Sequence, residues 1–263
     1  MDNKTIEITR QNAVATIWLN RPEIHNALNI TMITELTGAF TELGSDNSVR
    51  VIVLRGRGKS FCAGADLKWM KEAAKSSREE NYNEALRLSE CFHKIYSCPK
   101  PVITLIHGAA TGGGCGLVAA SDIAISADDA IFSLSEVRLG LVPSVISPYI
   151  IKRIGEFPAR ELMLTARRIF GREAAERGLV NRSCQVRELD QVMENVTEEL
   201  LQGGPEAMVI CKQLIFETCN RISTDDSVRY NAEIFAQIRT SQEGREGMTA
   251  FLEKRKPKWL GGG

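Results

Sequence analysis

Residues 98–143, CPKPVITLIHGAATGGGCGLVAASDIAISADDAIFSLSEVRLGLVP, constrain this chain more than any other stretch. After Pro99 and Pro101, residues 102–106 are mostly apolar and rich in β-branched side chains, the pattern of a fully buried strand. His107, Gly108 and residues 109–111 lead to three successive glycines, Gly112, Gly113 and Gly114, and residues 117–120 suit a buried helix. A strand that feeds a glycine turn at a helix N-terminus gathers unpaired backbone N–H groups and the positive end of the helix dipole at one point. That point stabilises an anion. The alternative is that the glycines only allow strand and helix to pack closely. The turn continues Gly114-Cys115-Gly116 rather than Gly-Lys-Ser/Thr, so it is not a P-loop, and no spaced G-x-G-x-x-G of a dinucleotide fold lies near the start of the chain.

Residues 51–70, VIVLRGRGKSFCAGADLKWM, carry a second site of the same kind. Residues 51–54 form a short apolar strand and 55–59 a glycine-rich turn. Residues 61–67 are small and apolar apart from Asp66. Ala63, Gly64 and Ala65 let a ligand approach the main chain closely.

Residues 6–19 alternate apolar and polar side chains as a hairpin does, with Gln11, Asn12 and Ala13 at its turn. From residue 29 to 43, Met32, Leu36, Ala39, Phe40 and Leu43 recur at helical spacing, with Asn29 as N-cap. Residues 77–96 read as a long amphipathic helix and 123–126 as another strand. Alternating strands and helices imply an α/β fold with largely parallel strands and helices outside. Beyond Pro143 the pattern is helical, over residues 149–154, 158–165, 171–178, 189–202, 205–219 and 224–238, with Thr224 capping the last of these and Asp225 and Asp226 complementing its dipole.

A chain of 263 residues with 43% hydrophobic content can bury a substantial core. Its 33 Lys+Arg balance 33 Asp+Glu, so no overall basic bias draws it to nucleic acid or a membrane surface. Its seven cysteines lack zinc-like spacing, which points to a reduced, cytoplasmic setting, and the polar opening MDNKTIEITR is unlike a secretory leader. His93 and His107 are expected to be structural, since their separation resembles no metal pair.

FCAGADL, followed by HGAATGGGCGL and then SEVRLGLVP, resembles the crotonase family of enoyl-CoA hydratases and isomerases. IWLNRPEIHNAL near the start and EGREGMTAFLEKRKPKW near the end extend the resemblance over nearly the whole chain. It implies a spiral of ββα-like turns over residues 1–200, and a helical region over 201–260 that supports a homotrimer or a dimer of trimers. It also implies an acyl-CoA substrate, whose coenzyme A is the only cofactor. The backbone N–H groups of Ala65 and Gly113 become the donors that stabilise a thioester enolate, and Glu136 becomes the acid-base group. An arbitrary glutamate beside Arg138 would be a surface ion pair; the surrounding motif, with Leu134, Val137 and Leu139 apolar around it, implies instead a carboxylate in an apolar pocket. Ala63, Ala65 and Leu67 match main-chain contacts to the CoA adenine, with Asp66 and Lys68 beside them. His25 and Lys254 are candidates for the CoA phosphates, Lys254 on a neighbouring subunit. Gly116 and Ser144 are further candidates for contact with the substrate.

The sequence also departs from its relatives. Typical hydratases of the family carry a second glutamate two residues after the glycine triplet, where this chain has Gly116. FCAGADLKWM, Gly116 and VPSVISPYIIKRIGE together resemble branched-chain hydratases acting on 3-methylglutaconyl-CoA or carboxygeranoyl-CoA, whose substrates bring a carboxylate of their own. Two alternatives stay open: an enoyl-CoA isomerase, which manages with one glutamate, and a crotonase-like chain that binds RNA without catalysis.

Overall fold

In the computed structural model, residues 5–221 and 224–260 are described, and the side chains of Thr224, Asp225 and Ser227 lie outside the description. The expected cap at Thr224 and the dipole contact of Asp225 therefore fall outside the described residues. The opening hairpin pairs β1 (Ile6–Gln11) with β2 (Val14–Leu19), antiparallel, with Gln11 opposite Val14. Gln11 is thus in the strand, and the turn is the two residues Asn12 and Ala13; Asn12 has φ 52°, a left-handed conformation that Asn tolerates. Helix α1 (Ile30–Ser45) starts where expected, with the Asn29 side chain accepting from the Met32 N–H, and it buries Met32, Ile33, Leu36, Phe40 and Leu43.

Strands β3 (Val51–Gly56), β4 (Val102–Ile106), β6 (Ile123–Ala127) and β9 (Arg182–Cys184) continue one sheet in the order β1-β2-β3-β4-β6-β9, parallel from β2 onward. Between β3 and β4 lie α2 (Leu67–Ala73) and α3 (Arg78–Tyr96); Ser77 and Glu80 form a complete capping box at the start of α3. After β4 the chain makes β5 (Ala109–Thr111) and α4 (Gly113–Ala120), and after β6 it makes β7 (Ile131–Ser133). A second, three-stranded sheet runs β5-β7-β8, where β8 is Ile169–Phe170. Single parallel bridges, Cys62 to Ala110 and Leu28 to Ala65, extend the same row of segments. Each turn of the chain thus lays one strand in the large sheet and one short segment beside the small one before its helix returns, which is the expected spiral.

The remaining helices are α5 (Ser147–Ile154), α6 (Glu156–Thr165), α7 (Gly171–Glu176), α8 (Leu189–Gln202), α9 (Pro205–Asn220), α10 (Thr224–Thr240) and α11 (Gln242–Leu252). α11 packs on α9 and α10. α2 and the short strands β5, β7, β8 and β9 are not among the elements expected from the sequence. The central helix also begins earlier than residue 117. Gly113, Gly114 and Gly116 are all inside α4, which is buried from Gly114 onward and so has no polar face to give it a period. Among the described residues no helix is long and apolar enough to cross a membrane.

Candidate active site

The spiral brings the two backbone sites together. The Leu28 N–H donates to the Gly64 carbonyl (2.7 Å) and the Asp66 N–H to the Leu28 carbonyl (2.8 Å), the two bonds of a parallel bridge centred on Ala65. In that geometry the flanking residues make both bonds, so the N–H of Ala65 itself turns to the other side. Gly113 is the first residue of α4, where a helix leaves its N–H groups without internal acceptors. Neither N–H has an acceptor among the described residues.

Ala65, Gly113, Glu136 and Ser144 line one cavity of about 150 Å³, walled by Leu28, Trp69, Leu88, Val142, Val145 and Ile146. A larger groove of about 740 Å³ between β1 and α1 contains none of the predicted residues, so size alone does not locate the site. Glu136 opens a 3-10 turn, Glu136–Leu139, that ends on Gly140 in the left-handed region. Its Oε2 is buried with no hydrogen-bond partner. A Cβ on Gly112 would stand 3.1 Å from the other oxygen, Oε1, so the carboxylate reaches the N-terminus of α4 because that residue has no side chain. Burial pushes the Glu136 carboxyl above its ordinary value, and a hydrogen bond from its own backbone N–H opposes this only in part. The surface-pair reading fails on geometry: Arg138 donates to the Thr165 carbonyl instead. The expected flanking pocket is partly wrong. Leu134 is buried, but Leu139 is 60% exposed, and Glu136 is enclosed by the cavity walls from other elements.

Gly116 does not line the cavity, which corrects its assignment as a substrate contact. It is buried in α4, and a Cβ there would run into Ile146 Cγ2 and lie 2.9 Å from the Phe92 ring. A glutamate at this place is missing, and the room for one is filled too. Gly116→Ala is expected to destabilise the protein by ~1–3 kcal/mol through overpacking, read as a lower urea midpoint with unchanged slope. An unshifted midpoint would show that Ile146 yields freely.

On the expected CoA side, the His25 carbonyl accepts from the Ala63 N–H (2.9 Å), which places His25 beside residues 63–68. Its Nδ1 is 3.1 Å from Ser60 Oγ. Ala63, Leu67 and Lys68 are exposed. Asp66 has a structural task that the motif does not reveal. It caps α2 by accepting from the Lys68 N–H (2.7 Å) and pairs with Arg21 (2.7 Å). Burial alone would raise its carboxyl; the bonds from Arg21 and Lys68 outweigh this and hold it below the ordinary value. Arg21 also donates to the Ala27 carbonyl (2.7 Å), so one guanidinium clamps both segments that meet around Ala65. Lys254 is exposed just after α11, whose packing is on α9 and α10, away from the elements that build the cavity. His107 Nε2 lies 2.9 Å from the Gly58 carbonyl and the His93 ring packs on Phe216, as expected of structural histidines. No metal-binding cluster occurs among the described residues.

Two backbone donors without acceptors among the described residues and a carboxylate with one buried, unpartnered oxygen line the same small apolar cavity, an arrangement that can stabilise an oxyanion while a proton moves. Residues 9–262 match the family described as enoyl-CoA hydratase/isomerase, and the chain belongs to that family. It is 34% identical over 262 residues to the crotonyl-CoA hydratase of Syntrophomonas wolfei, covering 99% of each chain. It is 31% identical to the short-chain-enoyl-CoA hydratase of Clostridium acetobutylicum, covering 97% of each. The crystal structure of an enoyl-CoA hydratase from Shewanella pealeana superposes with a TM-score of 0.94 at 37% identity, over 98% of this chain and 97% of that one.

Proposed function

We propose that this chain is an enoyl-CoA hydratase acting on thioesters with a short, apolar acyl group. The observation that carries the reading is the Glu136 carboxylate, whose Oε2 is buried without a hydrogen-bond partner, on the same cavity as Ala65 and Gly113. The thioester oxygen accepts hydrogen bonds from these two donors. Glu136 takes a proton from water as the water oxygen bonds to the β-carbon, and the π electrons of the double bond move onto the thioester oxygen as an enolate. Glu136 then returns the proton to the α-carbon, so one water is added overall. One carboxylate serves as base and then as acid, and coenzyme A enters only as part of the substrate. The cavity, at about 150 Å³, is below the ~300–1,000 Å³ of common ligand pockets, which suits a short acyl chain. The names of the Syntrophomonas and Clostridium relatives agree with that size.

A second reading is the branched, carboxylated substrate, 3-methylglutaconyl-CoA. Ile146 and Phe92 occupy the place of a second glutamate, so a substrate carboxylate would supply the missing partner for the water. Against it, none of the described residues lining the cavity is cationic. The test is loss of the conjugated thioester absorbance over a panel of crotonyl-CoA, 3-methylcrotonyl-CoA and 3-methylglutaconyl-CoA, with a 3-enoyl-CoA as control. Hydration of crotonyl-CoA supports the first reading and selective turnover of 3-methylglutaconyl-CoA the second. An enzyme inert to all three 2-enoyl esters that shifts the double bond of the 3-enoyl ester is an isomerase.

Residues 201–260 are read as the region that holds subunits in a trimer or a dimer of trimers. Val228, Phe235, Phe251 and Leu252 on α10 and α11 are 63–83% exposed, an apolar surface that association would bury. Light scattering is expected to give three or six times the 29.1 kDa chain mass. A monomer would end this assignment, and with it the role of Lys254 toward a neighbour's CoA.

A further inference from the structure

We infer that Trp69, held in place by Glu84, sets the length of acyl chain the site accepts. This rests on the proposed hydratase reading and deepens it. Trp69 lies one helical turn beyond Ala65, on α2, and its ring lines the cavity beside Ala65, Gly113 and Leu88. Its indole N–H donates to Glu84 Oε2 at 2.6 Å, a short bond strengthened by the carboxylate charge. Glu84 sits on α3 one turn before Leu88, so both project from the same face of that helix and the bond holds the indole against Leu88.

The surroundings explain why such a bond is needed. α2 has no buried residue; Leu67 at its start is 74% exposed, and Trp69 is the residue of α2 that packs against the core. The helix is tied down at its ends. At one end Asp66 caps it and pairs with Arg21; beyond the other, Asn81 Nδ2 donates to the carbonyls of Ala73 and Ser76. Between these ties the indole is free to swing unless Glu84 fixes it. The thioester carbonyl meets the donors at Ala65 and Gly113, so an acyl chain extending from it runs against Leu28, Leu88 and the Trp69 ring. On the Ile146 side the space is already filled, because Ile146 packs against Gly116. The indole is the movable wall.

The test compares kcat/KM for 2-octenoyl-CoA and crotonyl-CoA. The wild type is expected to favour crotonyl-CoA. Trp69→Ala should raise the octenoyl-to-crotonyl ratio by about tenfold or more, since a few methylenes in an apolar pocket discriminate by that much or more. Glu84→Ala should move the ratio the same way but less, and Glu84→Gln, which keeps an acceptor oxygen, should restore it. A purely structural role would lower both substrates alike, so an unchanged ratio in active Trp69→Ala and Glu84→Ala proteins overturns the inference. If the wild type turns over no enoyl-CoA, the hydratase reading fails by itself and the inference is read from binding. Calorimetric titration with octanoyl-CoA and butyryl-CoA should then show octanoyl-CoA gaining affinity relative to butyryl-CoA in Trp69→Ala, and equal changes for the two esters would overturn it.

Discussion

Glu136→Gln is expected to lower kcat for crotonyl-CoA by ~10²–10⁴-fold while leaving KM within a few-fold, because the carboxylate serves proton transfer and the donors at Ala65 and Gly113 remain. The substitution is isosteric, and Arg138 is engaged with Thr165, so no ion pair is broken. The same change should make the protein more stable near neutral pH. The sign follows from linkage: a carboxyl whose folded pKa is raised binds more protons folded than unfolded, so stability is lost as pH rises through that interval. The amide side chain of the variant carries no charge and escapes the loss. Thermal melts at pH 7 should therefore show a higher Tm for the inactive variant, with the difference closing in acid. Full activity in Glu136→Gln would remove the glutamate from the mechanism.

The pH profile offers a check without mutation. Glu136 must be ionised to take a proton from water, and burial raises its pKa. The acid limb of kcat/KM should therefore lie above the ordinary glutamate value and vanish in the Glu136→Gln variant. An acid limb at the usual carboxylate position would mean that the cavity fills with water deeply enough to cancel the burial of Oε2.

The backbone half of the site is legible in the sequence, and the side-chain half is largely not. Ala65 and Gly113 stand in runs of small residues that announce close approach to the main chain, and Glu136 closes a motif that carries it to the same place. The apolar wall comes from Leu28, Trp69, Leu88 and Ile146, which lie on four different segments and share no local pattern. Only the spiral brings them together. Asp66 reads as a ligand contact because it sits in the loop that binds, whereas its ion pair is with Arg21, 45 positions away, and its cap on the Lys68 N–H follows from the start of α2, a helix the sequence does not announce. Gly116 reads as a lost catalytic position; the packing of Ile146 and Phe92 on it is a fact of tertiary structure. Strands show in the sequence where several apolar residues run together, as in residues 51–54, or alternate with polar ones, as in residues 6–19. β7, β8 and β9, at two or three residues each, are too short for any periodicity to register.

Ala65→Pro should cost ~10²–10³-fold in kcat, the usual effect of losing one preorganised oxyanion donor, with Tm little changed. Proline removes the one N–H at this position outright, and that N–H has no acceptor among the described residues. The bridge that holds the segment uses the Gly64 carbonyl and the Asp66 N–H, both of which survive the change. The restriction that proline places on its predecessor falls on Gly64, at φ 85°, a residue with no Cβ to clash. The parallel experiment at Gly113 is less clean, because any Cβ there meets Leu28 Cδ1 at 2.7 Å and disturbs the acyl wall together with the donor. Lost activity at Gly113 alone would therefore confound two causes, whereas Ala65→Pro separates them. A kcat deficit with intact affinity for a saturated acyl-CoA assigns the N–H to the transition state. If instead only KM rises, Ala65 holds the ground-state ester and the enolate is stabilised elsewhere.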